Sequence, residues 1–252
     1  MAGHSKWANI KHRKGAQDKK RAKIFTRILK EISVAVKEGG GPDPETNPRL
    51  RLAISNAKGA NMPKDTIERA IKKASGADAD AYEEVSYEGY GPHGIAIFVE
   101  CTTDNTNRTV ASVRSIFSKY GGSLGTNGSL EFLFDRKGVF EIETANLKRD
   151  WETFELELID GGAEEIEKSE HVIYVTTSFE DFGNLQKSLE NFQVEVKNAE
   201  VQRIPVTSKA LNLDESKQVL RIIEKFEEDD DVQNVYHNLE LTPELLEALD
   251  SE

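Results

Sequence analysis

Between residues 137 and 205 the hydrophobic period alternates between about two and about 3.6 residues. The order is a strand at 139–142, a helix at 150–159 stopped by Gly161-Gly162, and strands at 163–166 and 171–176. A helix marked by Phe182, Leu185, Leu189 and Phe192 follows, and then a strand at 194–204. A β-α-β-β-α-β order is the signature of a ferredoxin-like sandwich, in which both helices cover one face of a sheet. This segment is expected to fold as one α/β domain.

The residues on either side carry the pieces of another. Before the segment lie a nearly continuous apolar strand at 94–101, a helix at 107–120 with Val110, Val113, Phe117 and Tyr120 on one side, and an alternating strand at 129–134. After it come a helix at 216–227, with Val219, Ile223 and Phe226 inward, and a strand at 232–241. Joined, these predict a discontinuous α/β domain of residues 82–136 and 206–247, with 137–205 inserted between its halves. Residues 77–84, rich in Ala and Asp, read as a linker.

The first part of the chain has a different texture. Residues 16–38 read as a helix, with Phe25, Ile28, Leu29, Ile32 and Val36 on one side and Lys20, Lys23, Arg27 and Lys30 on the other. Packing the apolar side is expected to present the cations to solvent as a row. Gly39-Gly40-Gly41-Pro42 ends this helix. Asn47-Pro48 begins a second, as cap and first residue. Pro63 begins a third, closed by Gly76. Three amphipathic helices with short connections predict a small bundle over residues 1–76. The outer faces of the last two carry Arg49, Arg51, Lys58, Lys64, Arg69, Lys72 and Lys73.

Charge is divided in the same way. Residues 1–75 hold eighteen Lys and Arg against seven Asp and Glu, a net of +11, while residues 76–252 are at −23. A cation-rich segment on an acidic protein suits an anionic partner, and nucleic acid fits the patterned spacing. The arm before the first helix, His4-Ser5-Lys6-Trp7-Ala8-Asn9-Ile10-Lys11-His12-Arg13-Lys14, mixes phosphate-binding and aromatic side chains. Trp7 either stacks on an unpaired base or plugs a groove of the protein itself.

Catalytic constellations are missing from the sequence. The five histidines are scattered without an HxH or HExxH spacing, which argues against a metal site. The single cysteine, Cys101, excludes an internal disulfide framework and a cysteine-based zinc site, and reads as a small core residue. Gly121-Gly122-Ser123-Leu124-Gly125-Thr126-Asn127-Gly128 lacks the Gly-Lys-Ser/Thr ending of a phosphate loop and follows a helix instead of preceding one. Asn105 or Asn107 caps the helix beginning near them. The acids at 227–231 fit no calcium-loop spacing and read as a solvated turn. No apolar run reaches membrane-spanning length, and a reducing, cytoplasmic setting is expected.

Several separated blocks resemble the YebC family across essentially the whole chain. They are Ala2-Gly3-His4-Ser5-Lys6-Trp7 with Asn9-Ile10-Lys11-His12-Arg13-Lys14, Asn61-Met62-Pro63-Lys64, Tyr87-Glu88-Gly89-Tyr90-Gly91-Pro92, and Thr102-Asp104-Asn105-Asn107-Arg108-Thr109. Gly121-Gly122, Leu124-Gly125 and Gly128-Ser129 add another. The resemblance implies an N-terminal helical bundle and two α/β domains, one inserted in the other. Its function labels point three ways: a DNA-binding transcriptional regulator, a translational activator in mitochondria, and a ribosome-associated factor that helps synthesis through proline-rich stretches.

The sequence therefore predicts an α+β protein of three domains: a three-helix bundle and two ferredoxin-like α/β domains. It predicts a non-enzymatic regulator of gene expression that binds duplex DNA or ribosomal RNA, with ribosome association and a protein–protein adaptor as the competing roles. Expected nucleic-acid contacts are Lys6, Trp7, Lys11, His12, Arg13, Lys14, Lys19, Lys20, Lys23, Arg27, Lys30 and Lys64. No helix carries an obvious base-reading set, so weak sequence specificity is expected. No cofactor, metal or membrane partner is expected.

Overall fold

A computed structural model describes residues 17–76, 79 and 81–250. The helices are α1 (Gln17–Glu38), α2 (Pro48–Gly59), α3 (Lys64–Ala74), α4 (Thr106–Lys119), α5 (Trp151–Asp160), α6 (Phe182–Asn191), α7 (Leu213–Glu228) and α8 (Pro243–Asp250). The strands are β1 (Glu83–Tyr90), β2 (Ala96–Thr103), β3 (Ser123–Leu124), β4 (Phe134–Glu143), β5 (Ala163–Lys168), β6 (Val172–Ser178), β7 (Asn198–Pro205) and β8 (Val232–His237). They form two four-stranded sheets, making this an α+β fold.

The first sheet runs β3-β1-β2-β8, each neighbour antiparallel. Alternation along β2 sends Ile97, Val99 and Cys101 toward α4 and α7, where Val113, Phe117, Val219, Ile222, Ile223 and Phe226 complete a core. Ala96 and Phe98 point the other way and pack with Leu130, Phe134 and Tyr236. Burial on both faces explains why this strand is a nearly continuous apolar run.

The second sheet runs β5-β6-β4-β7. Counting only its own strands, the order is 2-3-1-4, that of a ferredoxin-like fold. Phe140, Ile142, Ile173 and Val175 meet Phe154 and Leu158 of α5 and Leu185 and Leu189 of α6. Asp150 caps α5 by accepting the Thr153 N–H at 3.0 Å. Leu52 of α2 packs against this same core.

The chain divides into two compact units. One holds residues 80–135 and 204–252 with α1 as far as Thr26; the other holds residues 27–79 and 136–203. Helices α2 and α3 thus share a unit with the ferredoxin-like sheet.

Three expectations about elements need correction. The strand expected at 129–134 is a turn followed by a short 3-10 segment, Glu131–Leu133, with β4 beginning at Phe134. Its apolar spacing arises because Leu130 and Phe134 pack behind the first sheet, without pairing as a strand. β1 was hidden in a stretch read partly as linker. Glu83, Glu84 and Glu88 mask Val85 and Tyr87, and the strand pairs along its whole length with β2. α8 was also unforeseen; its Leu245 is 1% exposed and joins the first core.

Candidate nucleic-acid interface

α1 does not present its cations as a solvent-facing row. Lys30 is only 8% exposed, and Lys23 and Arg27 are half-buried. Lys23 Nζ donates to the backbone carbonyl of Asp229 at 3.3 Å. From Ile28 to Val36 this helix is covered on nearly every side: Lys30, Ile32, Ser33, Val34, Ala35 and Val36 are all buried. A helical wheel assumes one packed face, and a helix embedded this deeply has more than one. Lys19 and Lys20 lie on the helical backbone of α1, with side chains outside the described set. Lys6, Trp7, Lys11, His12, Arg13 and Lys14 lie outside the described residues.

Solvent-facing positive charge is found on α3 and the turn before it. The helix leading into that turn, α2, is fixed at both ends. At the start of α2, Asn47 is fully buried. Its Nδ2 donates to the carbonyls of Ala35 at 2.7 Å and Gly41 at 2.8 Å, while its Oδ1 accepts the Leu50 N–H at 3.0 Å. One carboxamide thereby caps α2 and ties down the end of α1. At the far end of α2, Asn61 adopts a left-handed backbone (φ 57°), which asparagine tolerates better than most residues. The Met62 N–H then donates to the Ala57 carbonyl at 2.9 Å, and Met62 itself is buried.

With Met62 pinned inward, Pro63 and Lys64 face out. The Lys64 side chain is 86% exposed, with Nζ 3.5 Å from Glu68 Oε1. Asp65, Glu68, Arg69, Lys72 and Lys73 share the outer side of α3, opposite buried Ile67 and Ala74. Four cations there outnumber two acids, and Lys58 is exposed at the end of α2. Of the expected contacts whose side chains are described, Lys64 is the one that is largely exposed. Arg69, Lys72 and Lys73, which the sequence reading placed on an outer face without assigning them a contact, accompany it.

The other polar motifs are occupied with holding the fold. Asn105 caps α4, its Oδ1 accepting the Arg108 N–H at 3.0 Å, which decides between Asn105 and Asn107. Buried Asp231 gathers the hydroxyls of Thr103 and Thr109 at 3.1 and 2.9 Å and the Arg108 guanidinium at 2.7 Å. Hydrogen bonds that Arg108 donates to Asp231 and Asp104 hold its guanidinium more firmly protonated than that of an ordinary arginine. Asp231 lies in the acidic run read as a solvated turn, so that reading fails at its last residue. The glycine-rich loop is anchored on Glu88, 1% exposed. The Glu88 carboxylate accepts the Gly128 N–H at 2.7 Å and the Leu130 N–H at 2.6 Å. Cys101 is buried in the first core. Among the described residues no group of three or more His, Cys, Asp and Glu could hold a metal ion. None of the described helices is long and apolar enough to cross a membrane.

Comparison with known proteins agrees with this architecture. The TACO1/YebC protein N-terminal domain matches residues 5–77, and the TACO1/YebC second and third domain matches residues 82–239. A probable transcriptional regulatory protein of Amoebophilus asiaticus is 56% identical over 241 residues, covering 95% of this chain and 98% of the relative. One from Bacillus licheniformis is 53% identical over 240 residues, covering 95% of this chain and all of the relative. The crystal structure of a conserved hypothetical protein from Aquifex aeolicus superposes with a TM-score of 0.77 at 40% identity, covering 87% of this chain and 90% of the other. With both parts of the chain matched and relatives this similar along nearly all of it, the protein belongs to the TACO1/YebC family.

Proposed function

We propose that this protein is a non-enzymatic regulator of gene expression that binds nucleic acid through its cation-rich first segment. The observation carrying this reading is the charge division, a net +11 over residues 1–75 against −23 beyond, with part of that charge exposed on α3. Nucleic acid is held chiefly through its phosphates, and a surface of Lys and Arg without a matching set of base-reading side chains binds with little sequence preference. The relatives' name of probable transcriptional regulatory protein supports the regulatory role. Duplex DNA and structured ribosomal RNA both offer the phosphates this surface needs.

The test is binding of the intact chain to duplex DNA and to ribosomal RNA across a salt series, alongside co-sedimentation with ribosomes. Contact with about six phosphates gives a log–log salt slope of roughly −4 to −5. A flat salt response, or full binding after charge reversal at Lys64, Arg69, Lys72 and Lys73 together with the arm cations, overturns the reading. A stable protein complex that survives nuclease, with no nucleic-acid binding, supports an adaptor instead.

A further inference from the structure

The acidic part of the chain contains a long run from which acids are missing. Residues 76–252 hold thirty-eight Asp and Glu, yet residues 105–130 hold none. That acid-free run is α4 and the glycine-rich loop after it. α4 buries Thr109, Val113 and Phe117 and turns Asn107, Ala111, Arg114, Ser115, Ser118 and Lys119 outward. The side chains of Asn107, Arg114, Ser115 and Ser118 make no hydrogen bond or ion pair with the described residues, and Lys119 touches only the ring of Tyr120, at 5.8 Å. Past the helix, exposed Thr126 and Asn127 form a loop tip held in place by the Glu88 carboxylate.

We propose that the outward face of α4 is a second nucleic-acid contact, which seats the sugar–phosphate backbone of structured RNA; it rests on the reading of the protein as a nucleic-acid binder. Charge complementarity argues for a polyanion: the outward face carries Arg114 and Lys119 and no acid of its own, and the carboxylates that border it, Asp104 and Asp229, are engaged by Arg108 at 2.8 Å and by the Ser112 hydroxyl at 2.6 Å. Its composition argues against a protein partner, because α4 shows no large apolar or aromatic side chain outward, where protein interfaces concentrate them. The hydroxyls argue for RNA over DNA. Ser115 and Ser118 can each donate to and accept from a ribose 2′-OH, and Ala111, one turn before Ser115, leaves room for close approach to a wide, shallow minor groove.

The experiment measures binding of the full-length chain to a 20-base-pair RNA duplex and the DNA duplex of equal sequence. Arg114→Ala with Lys119→Ala lowers RNA affinity about tenfold near 0.1 M salt and reduces the salt slope by roughly 2. Ser115→Ala with Ser118→Ala lowers RNA affinity about threefold and leaves DNA affinity unchanged. Lys187→Ala, which removes an exposed cation from α6, changes neither. Wild-type RNA binding with no loss in the Arg114/Lys119 variant overturns this inference alone. Equal losses on DNA and RNA in the serine variant overturn the choice of RNA. Absence of nucleic-acid binding by the wild-type chain overturns the functional reading and this inference together.

Discussion

Asn56 on α2 and Ala199 on β7 exchange two hydrogen bonds of 2.9 Å: the Ala199 N–H donates to Asn56 Oδ1, and Asn56 Nδ2 donates to the Ala199 carbonyl. Both residues are buried. β7 is an edge of the second sheet, and an edge strand carries backbone groups with no strand to pair with. The carboxamide supplies the donor and acceptor that another strand would have offered. Nearby, Gly59 brings α2 so close that a Cβ would sit 1.9 Å from the Lys197 carbonyl oxygen.

Asn56→Ala leaves a buried N–H and a buried carbonyl unsatisfied and is expected to cost about 2–4 kcal/mol. Asn56→Asp is expected to be comparably harmful, since a carboxylate cannot donate to the Ala199 carbonyl. Urea unfolding measures both. A loss below about 0.5 kcal/mol in either variant would show that water replaces the pair.

Glu88→Gln retains one acceptor oxygen where Gly128 and Leu130 both need one. The expected cost is about 1.5–3 kcal/mol, because hydrogen bonds to a charged acceptor are the stronger kind. Amide hydrogen exchange at Gly128 and Leu130 should speed up while the core of the second sheet is unaffected. Unchanged exchange at both amides contradicts the anchoring role.

Tyr174 lies on β6 with Glu141 of β4 opposite it on one side and Glu167 of β5 on the other. Burial first, and then these two carboxylates, push its phenol up to about 12 from an ordinary 10.0. The folded state therefore keeps a proton that the unfolded chain releases near pH 10. Stability is intact below pH 10 and falls as pH rises toward about 12. Burial first, and then Cys101 and Asp231, also raise the Tyr87 phenol, so in a tyrosinate absorbance titration of the six tyrosines Tyr174 should ionise last, and Tyr174→Phe should remove that last step. Simultaneous titration of all six near pH 10 rules it out.

Charge reversal separates buried from exposed cations. Lys30→Glu places a carboxylate where a lysine is 8% exposed and is expected to destabilise by about 2–3 kcal/mol. Lys72→Glu with Lys73→Glu alters an exposed side of α3 and should leave stability within about 0.5 kcal/mol while weakening nucleic-acid binding. Thermal melts beside binding curves check both. Equal melting temperatures for the two variants would refute the difference in burial.

Local chemistry was legible wherever it depended on neighbours in sequence. Asn47 reads as a helix cap from sequence alone, because a cap needs only the next turn of the helix, and the helix that Asp150 caps is legible from its own apolar spacing. The ferredoxin-like segment was legible because its helices and most of its strands each bury one side, which leaves a period in the sequence. β1 was missed for the opposite reason: its alternation is weak and its partner β2 lies beyond an intervening turn. Asp231 reads in sequence as one more acid of a solvated turn, since its partners Thr103, Arg108 and Thr109 lie more than 120 residues earlier.

The sequence by itself determined most of the helices and strands, the cap at Asn47, the division of charge and the acid-free run through α4, all of which follow from composition and short-range periodicity. Only the tertiary structure decided which charges reach water. It buried Lys30 of an apparent basic stripe and left Lys64 and its neighbours on α3 exposed. It also paired Asn56 with Ala199, and Glu88 with Gly128 and Leu130. Burial and long-range hydrogen bonding depend on segments that meet only after folding, and no local period records them.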